Sequence, residues 1–170
     1  MEAKLKHFNI MAKINTHTGL KYVICDSASS NQGKTMALAD VANTLMSNPA
    51  FITLAQHPLK PRKRGRDIWV VLQEISTQKI ILIQSGGDIA SVYRRTWEYL
   101  AKGHVDIIVL ASHNYGVTRA IVQQIARKYN YTELYFSNFR PKDRFSWLPA
   151  FNSIVSQINK KMIIDLALNL

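Results

Sequence analysis

Residues 21–45 read KYVICDSASSNQGKTMALADVANTL, and this stretch decides the fold. Tyr22 to Cys25 is an apolar run of strand length. The small polar residues from Asp26 to Gln32 follow it and favour a loop. Gly33-Lys34-Thr35 then opens a segment whose apolar residues recur at helical spacing. These apolar residues are Met36, Leu38, Val41 and Leu45. We therefore predict a strand, a loop and a helix in that order.

The loop carries a nucleotide-binding motif. Residues 28–35, ASSNQGKT, resemble the Walker A motif of P-loop nucleotide-binding proteins, G-x-x-x-x-G-K-[ST], with Ala28 in place of the first glycine. Backbone N–H groups of such a loop, together with the helix N-terminus, form an anion site. The resemblance implies that Lys34 contacts the outer phosphates and that the Thr35 hydroxyl binds Mg²⁺. The alternative is a helix that begins with Gly-Lys-Thr by chance. The implied phosphate-binding residues are Ala28, Ser29, Ser30, Asn31, Gln32, Gly33, Lys34, Thr35 and Met36.

The composition is that of one folded domain. The chain has 170 residues and is 47% hydrophobic, which is enough to build a core. No apolar run approaches the ~20 residues that span a bilayer, and the N-terminal segment lacks a secretory pattern. Cys25 is the only cysteine, which excludes a disulfide framework and favours a reducing compartment. We expect a cytoplasmic protein with one domain over 1–170 and an amphipathic helix over 1–18 as an appendage.

The net charge of +11 predicts anionic partners: nucleotides, nucleic acid, acidic proteins or lipid headgroups. Five of the seven residues from Lys60 to Arg66 are basic, and Pro61 and Gly65 interrupt them. This composition predicts an exposed loop that contacts the phosphates of nucleic acid or an acidic protein. A solvated loop without any ligand is the alternative interpretation.

The rest of the chain alternates strands and helices. Two strands, 68–75 and 79–84, are separated by too few residues for a parallel crossover, so we predict an antiparallel hairpin. Residues 51–55 are compatible with a further short strand. Additional strands are expected at 105–111 and 132–136, and helices at 89–101, 117–129 and 150–168. The pattern predicts an α/β fold: a three-layer P-loop NTPase-like domain with a mostly parallel sheet and one antiparallel hairpin.

Three loops are expected to meet at one site, because ligands of open α/β sheets bind outside the carboxyl ends of the strands. These loops cover residues 26–33, 84–88 and 111–116. P-loop proteins usually carry an acid that helps to hold Mg²⁺ at the end of a second strand. Here Gln84 stands directly after the apolar run. Asp88 and Asp26 are the acids that could reach the metal, and we predict Asp88 as the ligand alongside Thr35. Asp88 can equally cap the following helix.

Catalysis of phosphoryl transfer requires cationic groups close to the transferring phosphate. Lys34, Asp88 and Arg94 are the predicted catalytic residues, although an exposed helix arginine is the plain alternative for Arg94. The hairpin and its glycine-containing loop resemble the layout of small GTPases, which have D-x-x-G at this place. Only the final glycine of Gln84–Gly87 matches, and Ala-Ser-His-Asn replaces the N-K-x-D element, so guanine specificity is unsupported.

Two functions follow from these residues. The first is binding of ATP, or another nucleoside triphosphate, with Mg²⁺, and its hydrolysis or phosphoryl transfer to an acceptor. The second is a nucleotide-dependent or degenerate P-loop module that contacts nucleic acid or a protein through Lys60–Arg66. The intact Lys34-Thr35 pair favours an enzyme, and the missing acid at Gln84 favours a binding module.

Overall fold

The computed structural model describes residues 19–27, 34–58, 67–87, 89–137 and 149–169. The strands are β1 (Tyr22–Ser27), β2 (Phe51–Pro58), β3 (Ile68–Glu74), β4 (Ile80–Gln84), β5 (Ile107–Ser112) and β6 (Thr132–Ser137). The helices are α1 (Lys34–Met46), α2 (Arg94–Leu100, after a 3-10 turn at Ala90–Tyr93), α3 (Val117–Tyr129) and α4 (Pro149–Asn169). The predicted appendage 1–18, residues 28–33, the basic loop 60–66 and Asp88 lie outside the described residues.

The six strands form one sheet in the order β2-β3-β4-β5-β1-β6. β4, β5, β1 and β6 are parallel to one another, and β3 is antiparallel to both of its neighbours. Five strands therefore run in one direction and β3 alone opposes them. The α/β class, the mostly parallel sheet and the hairpin β3–β4 are confirmed. The short piece predicted at 51–55 extends to Pro58 and adds a second antiparallel ladder at the sheet edge.

Helices cover both faces of the sheet, because the strands are apolar on both sides. Along β1, Val23 and Cys25 belong to the apolar cluster that contains residues of α2 and α3. Ile24, between them, belongs to the cluster that contains residues of α1 and α4. This alternation is the two-residue period of a strand. α1 buries one face through apolar residues at helical spacing. The buried apolar residues of α1 are Ala37, Leu38, Val41, Ala42 and Leu45.

The helix predicted from Ile89 starts later than the sequence indicates. Residues 90–93 form a 3-10 turn, and α2 begins only at Arg94. Ile89 is therefore 46% exposed, whereas its helical spacing predicts a buried side chain. Tyr93 and Leu100 are buried. Within the described ranges, no helix combines the length and the hydropathy that a membrane crossing requires.

Candidate functional site

The strands that precede the three predicted loops end at the same edge of the sheet. β1 and β5 are paired in parallel up to Ser27 and Ser112, and β4 and β5 up to Gln84 and Leu110. The segments that follow these strands therefore leave from one edge, which we call the carboxyl edge. This is where an open α/β sheet places its ligands.

One hydrogen bond joins two of these segments. Thr35, the second residue of α1, donates its hydroxyl to the carbonyl oxygen of Ser85 at 3.3 Å. The start of α1 and the loop after β4 are thus in contact, as the sequence predicts. A hydroxyl group has one hydrogen and two lone pairs. Because the hydrogen is directed at Ser85, the lone pairs of Thr35 Oγ1 are not used in this bond.

Lys34 is the first residue of α1 and is only 4% exposed. A lysine is rarely buried to this extent. As the first residue of α1, Lys34 lies inside the fold beside the carboxyl edge. Met36, two residues further along α1, points outward and is 68% exposed. Replacing Lys34 will therefore change packing as well as charge.

Gln84, which stands where P-loop proteins place an acid, has a structural role. Thr96 Oγ1 donates to Gln84 Oε1 at 2.6 Å, and Gln84 Nε2 donates to the Gly86 carbonyl at 2.8 Å. The Trp69 indole N–H in turn donates to Thr96 Oγ1 at 3.0 Å. Gln84 and Thr96 are fully buried. Both ends of the Gln84 amide are thus used to hold the loop after β4.

Of the described acids at the carboxyl edge, which include Asp67 just before β3, Asp26 is the one that β1 carries. It is the fifth residue of β1 and is 1% exposed. The alternation of side chains along β1 places it on the same face of the sheet as Ile24 and α1. Asp26 therefore lies on the face that carries Lys34 and Thr35. Asp88, the predicted metal ligand, lies outside the described residues, so its role stays a prediction.

The loop after β4 is tightly packed. Ser85 donates its N–H to the Ile68 carbonyl at 2.9 Å and accepts the Ile68 N–H on its hydroxyl at 2.7 Å. A Cβ atom on Gly87 would lie 2.1 Å from the carbonyl oxygen of Ala111 in β5. Tyr93 donates its hydroxyl to the same oxygen. Only glycine fits at position 87, and the loop is held against the end of β5.

The two arginines of α2 make contacts on that helix and the neighbouring sheet. Arg94 is 85% exposed on its side chain, and its Nε lies 3.5 Å from Glu98 Oε1, one turn on. Arg95 places its guanidinium 5.9 Å from the centre of the Trp69 ring. A solvent-exposed ion pair of this kind contributes little to stability. The catalytic role of Arg94 stays a prediction, and the structure orients this side chain towards solvent.

The helix α3 and the loop before it carry two further side chains, Arg119 and Tyr115. The guanidinium of Arg119 lies 3.5 Å from the centre of the Tyr135 ring in β6. Tyr115, two residues before α3, is 78% exposed. His113 donates its backbone N–H to Thr118 Oγ1 at 3.0 Å. Tyr115 belongs to no sequence motif. It becomes a candidate only because the structure shows it exposed at the carboxyl edge.

A cavity of about 450 Å³ lies at the opposite, amino edge of the sheet. Its lining includes Lys21, Tyr99, Lys102, His104 and Tyr131. Six residues of β1 separate this cavity from the carboxyl edge, a distance of roughly 20 Å. The Walker A-like residues lie at the other end of the strand, so a ligand in this cavity would not touch them. We therefore place the candidate site at the carboxyl edge.

The described residues hold no group of three or more His, Cys, Asp or Glu side chains that could bind a metal without help. Mg²⁺ in phosphate sites needs fewer protein ligands, because phosphate oxygens and water complete its shell. One hydroxyl and one carboxylate at the edge are consistent with that requirement. In comparisons of the chain with known proteins, no family model, no curated protein and no solved structure matches.

Proposed function

We propose that the chain binds a nucleoside triphosphate, in the first instance ATP, with Mg²⁺ at the carboxyl edge, and hydrolyses it or transfers its terminal phosphoryl group. The observation that carries the proposal is the hydrogen bond from Thr35 to Ser85. It unites the start of α1 with the loop after β4 and orients the hydroxyl that the Walker A resemblance assigns to the metal.

The chemistry of the edge suits a polyphosphate. Lys34 supplies a positive charge at the first turn of α1, whose N-terminus adds its own partial positive charge. Bound Mg²⁺ would neutralise the phosphate oxygens. Thr35 would hold the ion through its oxygen, and Asp26 or Asp88 would hold it through water or directly. Catalysis of phosphoryl transfer consists largely of such positioning and charge neutralisation.

The first test is calorimetric titration with ATP in the presence of Mg²⁺. We expect Lys34→Met to abolish measurable binding, because the variant keeps the length of the side chain and removes its charge. The matched control is Lys79→Met, which removes the same charge beside the start of β4, at the amino edge. Far-UV circular dichroism and the melting temperature report whether each variant is folded. If folded Lys34→Met binds ATP like the wild type, the P-loop interpretation is wrong.

The second test asks which acid holds the metal. We expect Asp88→Asn to weaken binding measured with Mg²⁺ more than binding measured with EDTA, because the amide loses the negative charge that Mg²⁺ prefers. Asp26→Asn is the comparison variant. If only Asp26→Asn produces this difference, the metal is held at the end of β1. Equal losses with and without Mg²⁺ for Asp88→Asn would reduce its role to that of a helix cap.

The amide of Gln84 favours a second candidate function, a nucleotide-dependent binding module. Both ends of this amide are hydrogen-bonded inside the protein. It is therefore not available to orient an attacking water or a metal ion. Single-turnover hydrolysis of ATP with Mg²⁺ separates the two functions. Release of inorganic phosphate that depends on Lys34 supports an enzyme, and tight binding without release supports the module.

A further inference from the structure

Several exposed apolar side chains lie at the carboxyl edge. Four of the ten large apolar side chains that are exposed in the described part of the chain belong to the segments that meet there. They are Met36, Ile89, Tyr115 and Val117. Tyr115 is the most exposed of the ten, at 78%, and Val117 is 66% exposed. Exposed apolar surface beside polar groups is a common sign of a binding site.

Tyr115 stands on a well-fixed backbone. The loop before α3 is closed by the bond from the His113 N–H to Thr118 Oγ1 at 3.0 Å and by the bond from the Ala120 N–H to the Gly116 carbonyl at 3.1 Å. Gly116 adopts a φ of 82°, a conformation that favours glycine. The backbone is thus ordered while the ring stays in solvent. A ligand that covers this ring need not order the loop first.

The loop also begins beside the end of β1. Ser112 at the end of β5 is paired with Ser27, from which the chain enters that segment. Tyr115 follows Ser112 by three residues, so its Cα lies within about 11 Å of the end of β5. Neighbouring strands are about 4.8 Å apart. Tyr115 is therefore within the length of a nucleotide from Ser27 at the end of β1.

The other tyrosines near the strand ends have evident roles in the fold. Tyr93 and Tyr131 are buried, and they donate their hydroxyls to the carbonyls of Ala111 and Val105. Tyr115 differs, since its ring is left open to solvent beside an exposed valine. Burying such a ring against the flat face of a base would remove apolar surface of both groups from water.

We infer that Tyr115 is the base-binding residue of the site and stacks on the base of the bound nucleotide. This inference rests on the proposed function, because the phosphates must be held at Lys34 and Thr35 to bring the base to α3. Stacking does not read the hydrogen-bonding edge of a base, so the site should accept several bases. Purines should bind more tightly than pyrimidines, because they offer a larger face.

The test compares ATP with inorganic tripolyphosphate, which has the phosphates and no base. Both are titrated by calorimetry with Mg²⁺ into the wild type, Tyr115→Ala and Tyr115→Phe. We expect Tyr115→Ala to weaken ATP about tenfold and to leave tripolyphosphate unchanged, since stacking on an aromatic ring is worth ~1–3 kcal/mol per base. Tyr115→Phe should bind both like the wild type, because the ring is retained.

A control removes exposed apolar surface elsewhere. Ile158 on α4 is 58% exposed, and Ile158→Ala should bind both ligands like the wild type. The inference is overturned if Tyr115→Ala leaves ATP unaffected or weakens ATP and tripolyphosphate by the same factor. If the wild type binds neither ligand, the proposed function itself fails and the inference with it. If the wild type binds tripolyphosphate, the phosphate site exists, and a failure then concerns only the role of Tyr115.

Discussion

Cys25 is a buried thiol in the middle of the sheet. Its Sγ lies 3.1 Å from Ser112 Oγ, and burial raises its pKa to about 12. The native protein should therefore not react with a disulfide reagent such as DTNB at pH 8. The denatured protein should react with it and release one equivalent of the reagent's coloured thiolate. Rapid reaction of the native protein would contradict the position of Cys25 in the core.

The same pKa shift predicts a loss of stability in alkali. The thiol has a pKa near 9.0 in the unfolded chain and about 12 in the native protein. Above pH 9 the unfolded state loses a proton that the native state keeps, so the free energy of unfolding falls as the pH rises towards 12. Urea unfolding from pH 7 to 10.5 should show a steeper fall for the wild type than for Cys25→Ala. Identical slopes would mean that the thiol contributes nothing to the pH dependence of the free energy of unfolding.

Gly87 is a position where a single methyl group is excluded. A Cβ atom there would lie 2.1 Å from Ala111 O and 2.4 Å from Ala111 C, both backbone atoms that cannot move aside alone. We expect Gly87→Ala to lower the free energy of unfolding by about 3 kcal/mol and to weaken ATP binding, because the loop must leave Thr35.

Gly19→Ala is the matched control, since a Cβ at Gly19 has no atom within 4 Å. Its unfolding free energy and its ATP affinity should equal those of the wild type. Both quantities come from urea titrations and calorimetry. Should Gly87→Ala be as stable as Gly19→Ala, the loop after β4 does not pack on β5 in solution.

At the scale of elements, Thr96 connects α2 with β3 and β4. Its hydroxyl accepts from Trp69 Nε1 and donates to Gln84 Oε1, and all three side chains are buried. Thr96→Val keeps the shape and removes the hydroxyl, which leaves a buried indole N–H and an amide oxygen without partners. Each such loss costs about 1–3 kcal/mol, so we expect a drop of that order in unfolding free energy.

Thr96→Ser retains the hydroxyl and should recover most of this stability. Thr53→Val, an exposed position in β2, should change the free energy of unfolding little. Chemical denaturation of the three variants measures these differences. Equal stability of Thr96→Val and Thr96→Ser would show that the network does not hold α2 to the sheet.

On the scale of the molecule, the sheet topology locates the two strand ends that flank the basic segment Lys60–Arg66. β3 is antiparallel to β4, and Ile68 hydrogen-bonds with Ser85, so β3 begins at the carboxyl edge. β2 is antiparallel to β3, and Pro58, paired with Ile68, ends at the same edge. The end of β2 and the start of β3 therefore both lie at the carboxyl edge, and residues 60–66 themselves lie outside the described part.

If this segment contacts nucleic acid, binding should weaken steeply with salt, with a log–log slope near −0.9 per phosphate contact on duplex DNA. Replacing Arg62, Lys63, Arg64 and Arg66 by serine should flatten that slope. In the control variant, serine replaces four lysines at the amino edge, which removes the same amount of positive charge. These are Lys21, Lys79, Lys102 and Lys128. Oligonucleotide titrations at several salt concentrations measure both; equal slopes for the two variants would mean that total charge, not the segment, binds DNA.

Local sequence determined the elements around the site. The apolar run of β1 and the helical spacing after it predict the strand and α1, and the short connection before Lys79 predicts the hairpin β3–β4. α3 was predicted with the bounds observed, Val117–Tyr129. Such features depend on residues close together in the chain, where periodicity and turn length decide the outcome. The Walker A-like motif is likewise a local feature, because its residues are adjacent in the chain.

Tertiary structure alone decided how these elements meet. The position of β5 between β1 and β4, the contact of Thr35 with Ser85 and the burial of Lys34 depend on strand order. The use of the Gln84 amide by Thr96 and Gly86, instead of by a metal, depends on how α2 packs. Residues far apart in the chain make these contacts, and no local periodicity encodes them, because their energy arises only once the sheet has formed.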